Sequence, residues 1–165
     1  MMERQKILRL LNENGIVYRI VEHPAVYTME EMHALQLEQE DAVARNLFLR
    51  DDKKRNWYLL VMHGDRPVDL KELRHLLGSR PLSFASESSL HEMLGLQKGA
   101  VTPLGALNDK EHIVQVVIDE EYRHQMIGVH PDSNTATVWM NCDDLVHLLE
   151  LSGSSVRWLE IKRGC

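Results

Sequence analysis

Three short stretches concentrate residues able to hold a polar ligand. Ala44-Arg45-Asn46-Leu47-Phe48-Leu49-Arg50 opens a strand-like run with a cation and an amide. At a sheet edge Arg45 and Asn46 could face a ligand, although a solvated Arg on an edge strand is the more common arrangement. Lys98-Gly99-Ala100-Val101-Thr102-Pro103-Leu104-Gly105 is rich in glycine and small residues. Such a loop lets backbone approach a ligand, and successive free N–H groups can hold a carbonyl oxygen or a phosphate. An ordinary turn has the same composition. The third stretch is Gly128-Val129-His130-Pro131, followed by Asn134-Thr135-Ala136-Thr137. Pro131 restricts His130 to extended backbone, and the small Thr and Ala side chains leave room beside it. A polar loop feeding an amphipathic strand would look alike, so no single stretch decides the chemistry.

Other chemistries leave no trace. There is no G-x-x-x-x-G-K-[ST] phosphate loop, no G-x-G-x-x-G after a strand and no G-x-S-x-G nucleophile elbow. The nine histidines include no H-E-x-x-H or H-x-H pair, and His124 and His130 stand six apart across a glycine. We therefore expect no metal site and no cofactor. Cys142, beside a cap position, reads as a small packing residue and not as a nucleophile.

The elements that must position these stretches follow from periodicity and caps. Residues 3–14 carry Ile7, Leu10 and Leu11 at helical spacing before Gly15. Residues 16–21 read as a strand that His23-Pro24 ends. Thr28 with Glu31 has capping-box spacing ahead of Met29, Met32 and Leu35. Two strands, 45–50 and 57–63, flank the polar run 51–56 and predict a hairpin. Asp69 with Glu72 opens a helix that Gly78 stops; 82–85 is a short strand; Ser86 opens a helix closed by Gly95. Strands are expected at 112–118, 135–140 and 156–161. Asn141 caps a helix ending at Gly153. Helices and strands interleave, yet one connection is a tight hairpin. The fold class is therefore α/β of the mixed α+β kind, a central mixed sheet with helices packed around it.

The 165 residues, 44% hydrophobic and 27% charged, suit one domain spanning 1–165. A net charge of -6 argues against a protein that coats DNA or RNA, but not against one gripping an RNA end through a local basic patch. Arg45, Arg50, Lys53, Lys54, Arg55 and Lys98 are the candidates for such a rim. Two cysteines, Cys142 and Cys165, make no disulfide framework and favour a reducing compartment. With a polar start at Met1-Met2-Glu3-Arg4 and no bilayer-length apolar run, the expected location is cytoplasmic, with no membrane partner.

Taken together and in order, the motifs resemble the YbaK-type aminoacyl-tRNA editing domains, in particular the freestanding prolyl-tRNA editing proteins. The matching residues are His23-Pro24 with Thr28, Arg45-Asn46-Leu47-Phe48-Leu49, Val68-Asp69-Leu70, Leu82-Ser83-Phe84-Ala85-Ser86, Gly99-Ala100-Val101-Thr102-Pro103, His130-Pro131 and Asn134-Thr135-Ala136-Thr137. Two positions depart from the family pattern: Arg45 stands where Lys is usual, and Gly128-Val129 replaces a bulkier lead-in to His130.

The resemblance implies a YbaK-like fold and hydrolysis of a mischarged aminoacyl ester, alanyl-tRNA(Pro) first. Cysteinyl-tRNA(Pro) or another mischarged tRNA, an inactive tRNA- or amino-acid-binding module, and a small-molecule hydrolase are the alternatives. It implies oxyanion contacts from backbone N–H groups at Gly99, Ala100 and Val101, and a phosphate or ribose contact from Arg45. His130 would orient the amino group or a ribose hydroxyl. Asn46, Thr102, Pro103, Asn134 and Thr135 would form the substrate pocket. The implied partner is the tRNA acceptor end, with prolyl-tRNA synthetase or an elongation factor as candidate protein partners.

Overall fold

The computed structural model describes residues 3–64 and 67–161. Met1, Met2 and Cys165 lie outside the described residues. Helix α1 (Arg4–Glu13) buries Ile7 and Leu11, and the Ile16 N–H closes its end on Leu11 O. Strand β1 (Tyr18–Glu22) leads to α2 (Met29–Ala34), whose N-terminus is capped by Thr28 accepting from Glu31 N. β2 (Ala44–Asp51) and β3 (Trp57–His63) form the expected hairpin. Then come α3 (Leu70–Leu77), β4 (Leu82–Phe84) and α4 (Glu87–Leu94), the two helices capped by Asp69 and Ser86 and each ended by a left-handed glycine. A 3-10 turn (Pro103–Asn108) precedes β5 (Val114–Asp119). β6 (Met126–Val129), β7 (Ala136–Asn141), α5 (Cys142–Leu151) and β8 (Ser155–Leu159) complete the chain.

The expected mixed sheet is five-stranded, ordered β4-β2-β3-β5-β8. β3, β5 and β8 run parallel, and β2 is antiparallel to both of its neighbours. A second, antiparallel sheet, β1-β7-β6, stands beside it and is bridged to it at Val43 and Gly128. The sequence reading contained neither this separate sheet nor β6. A four-residue strand with a glycine in it has almost no period to read. Gly128 is needed there because a Cβ would approach Trp139 Nε1 and Val43 Cγ2 to 2.9 Å.

Alternation along β2 and β3 splits the core between the two faces of the main sheet. Ala44, Phe48, Leu59 and Val61 join the large cluster with α1, α4, α5 and the small sheet. Leu49, Tyr58, Leu60 and Met62 face Leu73 and Leu77 of α3. A third group, Val26, Met32, Val43 and Trp139, fixes α2 against the small sheet. Cys142 is fully buried in α5, and burial pushes its thiol up to about 12, which fits the packing role. None of the described helices is long and apolar enough to cross a membrane.

Candidate active site at the open edge of the main sheet

β4 covers β2 only at Leu49, Arg50 and Asp51. Among the described residues no strand pairs with the first half of β2 on that side, the bridge from Val43 to Gly128 lying just before it. The loop before α2, the start of α2, the loop 97–102 and His130 close around the gap instead. They enclose a cavity of about 800 Å³, within the usual size of ligand sites. Its apolar wall includes Val26, Met29, Met32, Val43, Ala44 and Leu47. The polar contribution comes from Arg45, Asn46, Lys98, Gly99 and His130, with Thr28 and Tyr27 at the rim of the α2 entry. Among the described residues no carboxylate and no thiol lines it.

Arg45 and Asn46 project to opposite faces of the strand because they are consecutive. Asn46 shares the face of Ala44 and Phe48, and its Nδ2 donates to Val101 O at 3.1 Å. That bond joins the strand to the glycine loop. Asn46 Oδ1 is buried and without a partner among the described residues. A buried acceptor left so costs about 1–3 kcal/mol, an expense that a bound N–H donor would remove.

Gly99 sits at φ +87, in the left-handed region. The loop meets only part of the expectation placed on its backbone. Ala100 N–H, expected to face substrate, donates to Gln97 O at 3.0 Å, and Ala100 is buried outside the cavity lining. Gly99 and Val101 do line the cavity. Thr102 and Pro103, expected in the pocket, are buried beneath it: Thr102 Oγ1 accepts from Leu104 N at 3.3 Å, and Pro103 starts the 3-10 turn. They shape the loop from behind.

His130 reaches the cavity with one nitrogen already committed. Its Nδ1 lies 2.8 Å from Ala136 O, an acceptor only, so Nδ1 carries the proton and Nε2 keeps a lone pair. Burial pushes the His130 pKa below the ordinary 6.5; the Ala136 bond opposes this and neighbouring His23 adds to it. The neutral imidazole is thus an acceptor. His23 is held in turn by Thr137 Oγ1, 2.8 Å from its Nε2.

Asn134 and Thr135 lie outside the lining. Asn134 clamps the loop before α2: its O accepts from Val26 N at 3.2 Å, and its Nδ2 donates to Val26 O at 2.8 Å. Thr135 Oγ1 is exposed and accepts from Arg4 at 2.9 Å. The supposed basic rim is also divided. Arg45 and Lys98 share the cavity, whereas Arg50 and the turn with Lys53, Lys54 and Arg55 lie at the far end of β2. At ~3.4 Å per strand residue that is roughly 20 Å away. The residues that sequence reasoning missed, Tyr27, Met29 and Met32, come from α2 and its approach. A short helix with two exposed-looking methionines gives little signal, and a loop aromatic beside a cap is its one visible hint.

Residues 23–148 match the model of the aminoacyl-tRNA editing domain. The chain belongs to the aminoacyl-tRNA editing domain family. This editing domain is 42% identical over 159 residues to the prolyl-tRNA editing protein ProX of Acetoanaerobium sticklandii, covering 96% of this chain and 97% of that one. It is 38% identical over 150 residues to the prolyl-tRNA synthetase associated domain-containing protein 1 of Danio rerio, covering 89% of this chain and 81% of the relative. Its fold matches the solved structure of hypothetical protein APE2540 with a TM-score of 0.72 at 19% identity, over 95% of this chain and 99% of that one.

Proposed function

We propose that this editing domain acts in trans as a deacylase of mischarged tRNA(Pro), with alanyl-tRNA(Pro) as its substrate. The carrying observation is the charge of the cavity: Arg45 and Lys98 line it and, among the described residues, no acidic side chain does; the one carboxylate near Lys98 is Glu87, an exposed partner at 3.6 Å outside the lining. A protein of net charge -6 thus keeps a positive site for one phosphate-bearing end. The names of the relatives in the ProX and synthetase-associated groups support a tRNA(Pro) substrate and prolyl-tRNA synthetase as a protein partner.

An aminoacyl ester is already activated, so positioning and charge stabilisation suffice. Water adds to the ester carbonyl carbon, and the bond from that carbon to the ribose oxygen breaks. The ribose oxygen takes one proton of that water, the other is released to solvent, and the amino acid leaves as its carboxylate. Gly99 and Val101 N–H groups hold the developing oxyanion. Arg45 holds the terminal phosphate or ribose. Asn46 Oδ1 and His130 Nε2, both acceptors, take N–H bonds from the substrate's ammonium group. A cavity of about 800 Å³ greatly exceeds an alanyl group, so discrimination against proline rests on local shape beside Asn46 and not on total volume.

The test is deacylation of alanyl-, cysteinyl- and prolyl-tRNA(Pro) by wild type, Arg45→Ala and His130→Ala. Selective release of alanine, lost in Arg45→Ala, is the expected result. Faster release of cysteine would move the substrate assignment; no release from any of the three would overturn the deacylase reading.

A further inference from the structure

One aromatic side chain at the cavity is far more exposed than its surroundings. Tyr27 lines the cavity yet is 67% exposed. Large exposed rings on loops are usually mobile, but the backbone on both sides of this one is anchored. Val26 is hydrogen-bonded through both N and O to Asn134, and Thr28 caps α2 by accepting from Glu31 N at 3.0 Å. The ring itself rests on the glycine loop. A Cβ built on Gly99 would meet Tyr27 Cδ1 at 2.9 Å and Cε1 at 3.3 Å. Gly99, glycine by its φ of +87, also leaves the space in which the ring lies against the loop; a side chain there would move the ring. One edge of the phenol is supported, most of the side chain is open to solvent, and Arg45 and Lys98 line the same cavity.

We infer that Tyr27 is a stacking platform for the 3′-terminal nucleobase of the RNA that carries the ester. A pre-positioned exposed ring on a cavity that two cations also line is the combination by which proteins hold single-stranded nucleic acid: the ring takes the base face and the cations take the backbone. Its size agrees, since a cavity of about 800 Å³ has room for a nucleoside in addition to an aminoacyl group. Stacking is blind to base identity, so this contact supplies affinity and register and leaves tRNA choice to other contacts. The inference rests on an RNA substrate, as proposed above, but not on turnover. Tyr27 acts here as a positioning residue.

The test measures binding of a short RNA hairpin with a single-stranded CCA end, and of the same hairpin lacking only its terminal base. Wild type, Tyr27→Phe and Tyr27→Ala are compared. Tyr27→Ala is expected to weaken binding of the intact end roughly 5- to 150-fold, the range of one base–aromatic stack. Tyr27→Phe, which keeps the ring face, binds as wild type does. The hairpin lacking the base binds wild type and Tyr27→Ala equally weakly, because the two losses remove one contact. Unchanged binding in Tyr27→Ala overturns the platform. So does an equal loss for both hairpins, which would make Tyr27 a prop for the Gly99 loop. Deacylation by the same proteins separates the two readings. Tyr27-dependent binding without turnover leaves the platform standing and removes the deacylase; turnover with the KM of Tyr27→Ala unchanged does the reverse.

Discussion

The two ends of β2 begin from similar residues, Arg45-Asn46 at one and Arg50-Asp51 at the other, and are finished in opposite ways. At the hairpin end the Asp51 carboxylate is fully buried. It accepts from Arg55 N and from Asn56 Nδ2, each at 2.8 Å, while Asp51 N bonds Asn56 O. Burial alone would raise its pKa, yet the hydrogen bonds from Asn56, Arg55 and Lys53 outweigh it and leave the group below the usual carboxylate range. At the other end Asn46 Oδ1 is equally shut off from water and has nothing to accept from among the described residues. The first arrangement spends its polar groups on stability. The second leaves one acceptor unpaired, at a standing cost to the fold, and on the proposed function a ligand's N–H fills it.

The comparison can be broken from either side. The largest effect belongs to the open end: Arg45→Ala lowers kcat/KM for alanyl-tRNA(Pro) roughly 10- to 150-fold, the loss of one charge-assisted contact to phosphate or ribose, while chemical denaturation shows stability changed by less than about 1 kcal/mol. Asp51→Ala does the opposite. It strands the donors of Arg55 and Asn56 and costs about 1–3 kcal/mol, a fall in Tm of about 2–12 °C by calorimetry. Its kcat/KM below the transition stays that of wild type.

Changing pH sharpens the contrast more gently. Asp51 binds its proton less readily folded than unfolded, so its contribution to stability is complete above the ordinary carboxylate value and is lost progressively as pH falls from there through its lowered value. His130 is also lowered, but for an imidazole this means that the unfolded chain takes up a proton near 6.5 before the folded chain does. Stability therefore declines as pH drops below 6.5, and kcat/KM, which needs the neutral ring, holds level through 6.5 and falls only below it. A rate already falling as pH drops from 7.5 to 6.5 would exclude the neutral-acceptor role. The smallest effect is expected from Lys53→Ala combined with Lys54→Ala: hydrolysis of the alanyl ester of a CCA trinucleotide, too short to reach the turn, is unchanged.

Much of this architecture was legible without coordinates, where local physics sufficed. Thr28, Asp69, Ser86 and Asn141 were readable as caps, and each accepts a backbone N–H at the predicted helix start. The polar run 51–56 was readable as a hairpin turn. Boundaries slipped where a side chain or a turn intervened. β5 starts at Val114 because His112 takes φ 55 and Asp109 Oδ2 holds Val114 N at 2.8 Å. β1 starts at Tyr18 because Ile16 is used to end α1. The site was legible in part. Arg45, Asn46, Gly99, Val101 and His130 meet at one cavity. Ala100, Thr102, Pro103, Asn134 and Thr135 are neighbours in sequence that face elsewhere.

The sequence by itself determined the helix starts, the hairpin, the mixed class and, through the order of its motifs, the editing family, since each depends on neighbouring residues or on a linear pattern. Only the tertiary structure decided which acceptors remain open, that the cations of the turn and of the cavity are separate, and that Tyr27 stands over Gly99. Those facts depend on what lies across from a residue in space. Residue 27 meets residue 99, and residue 46 meets residue 101, only after the chain has paid the entropy of closing the loops between them.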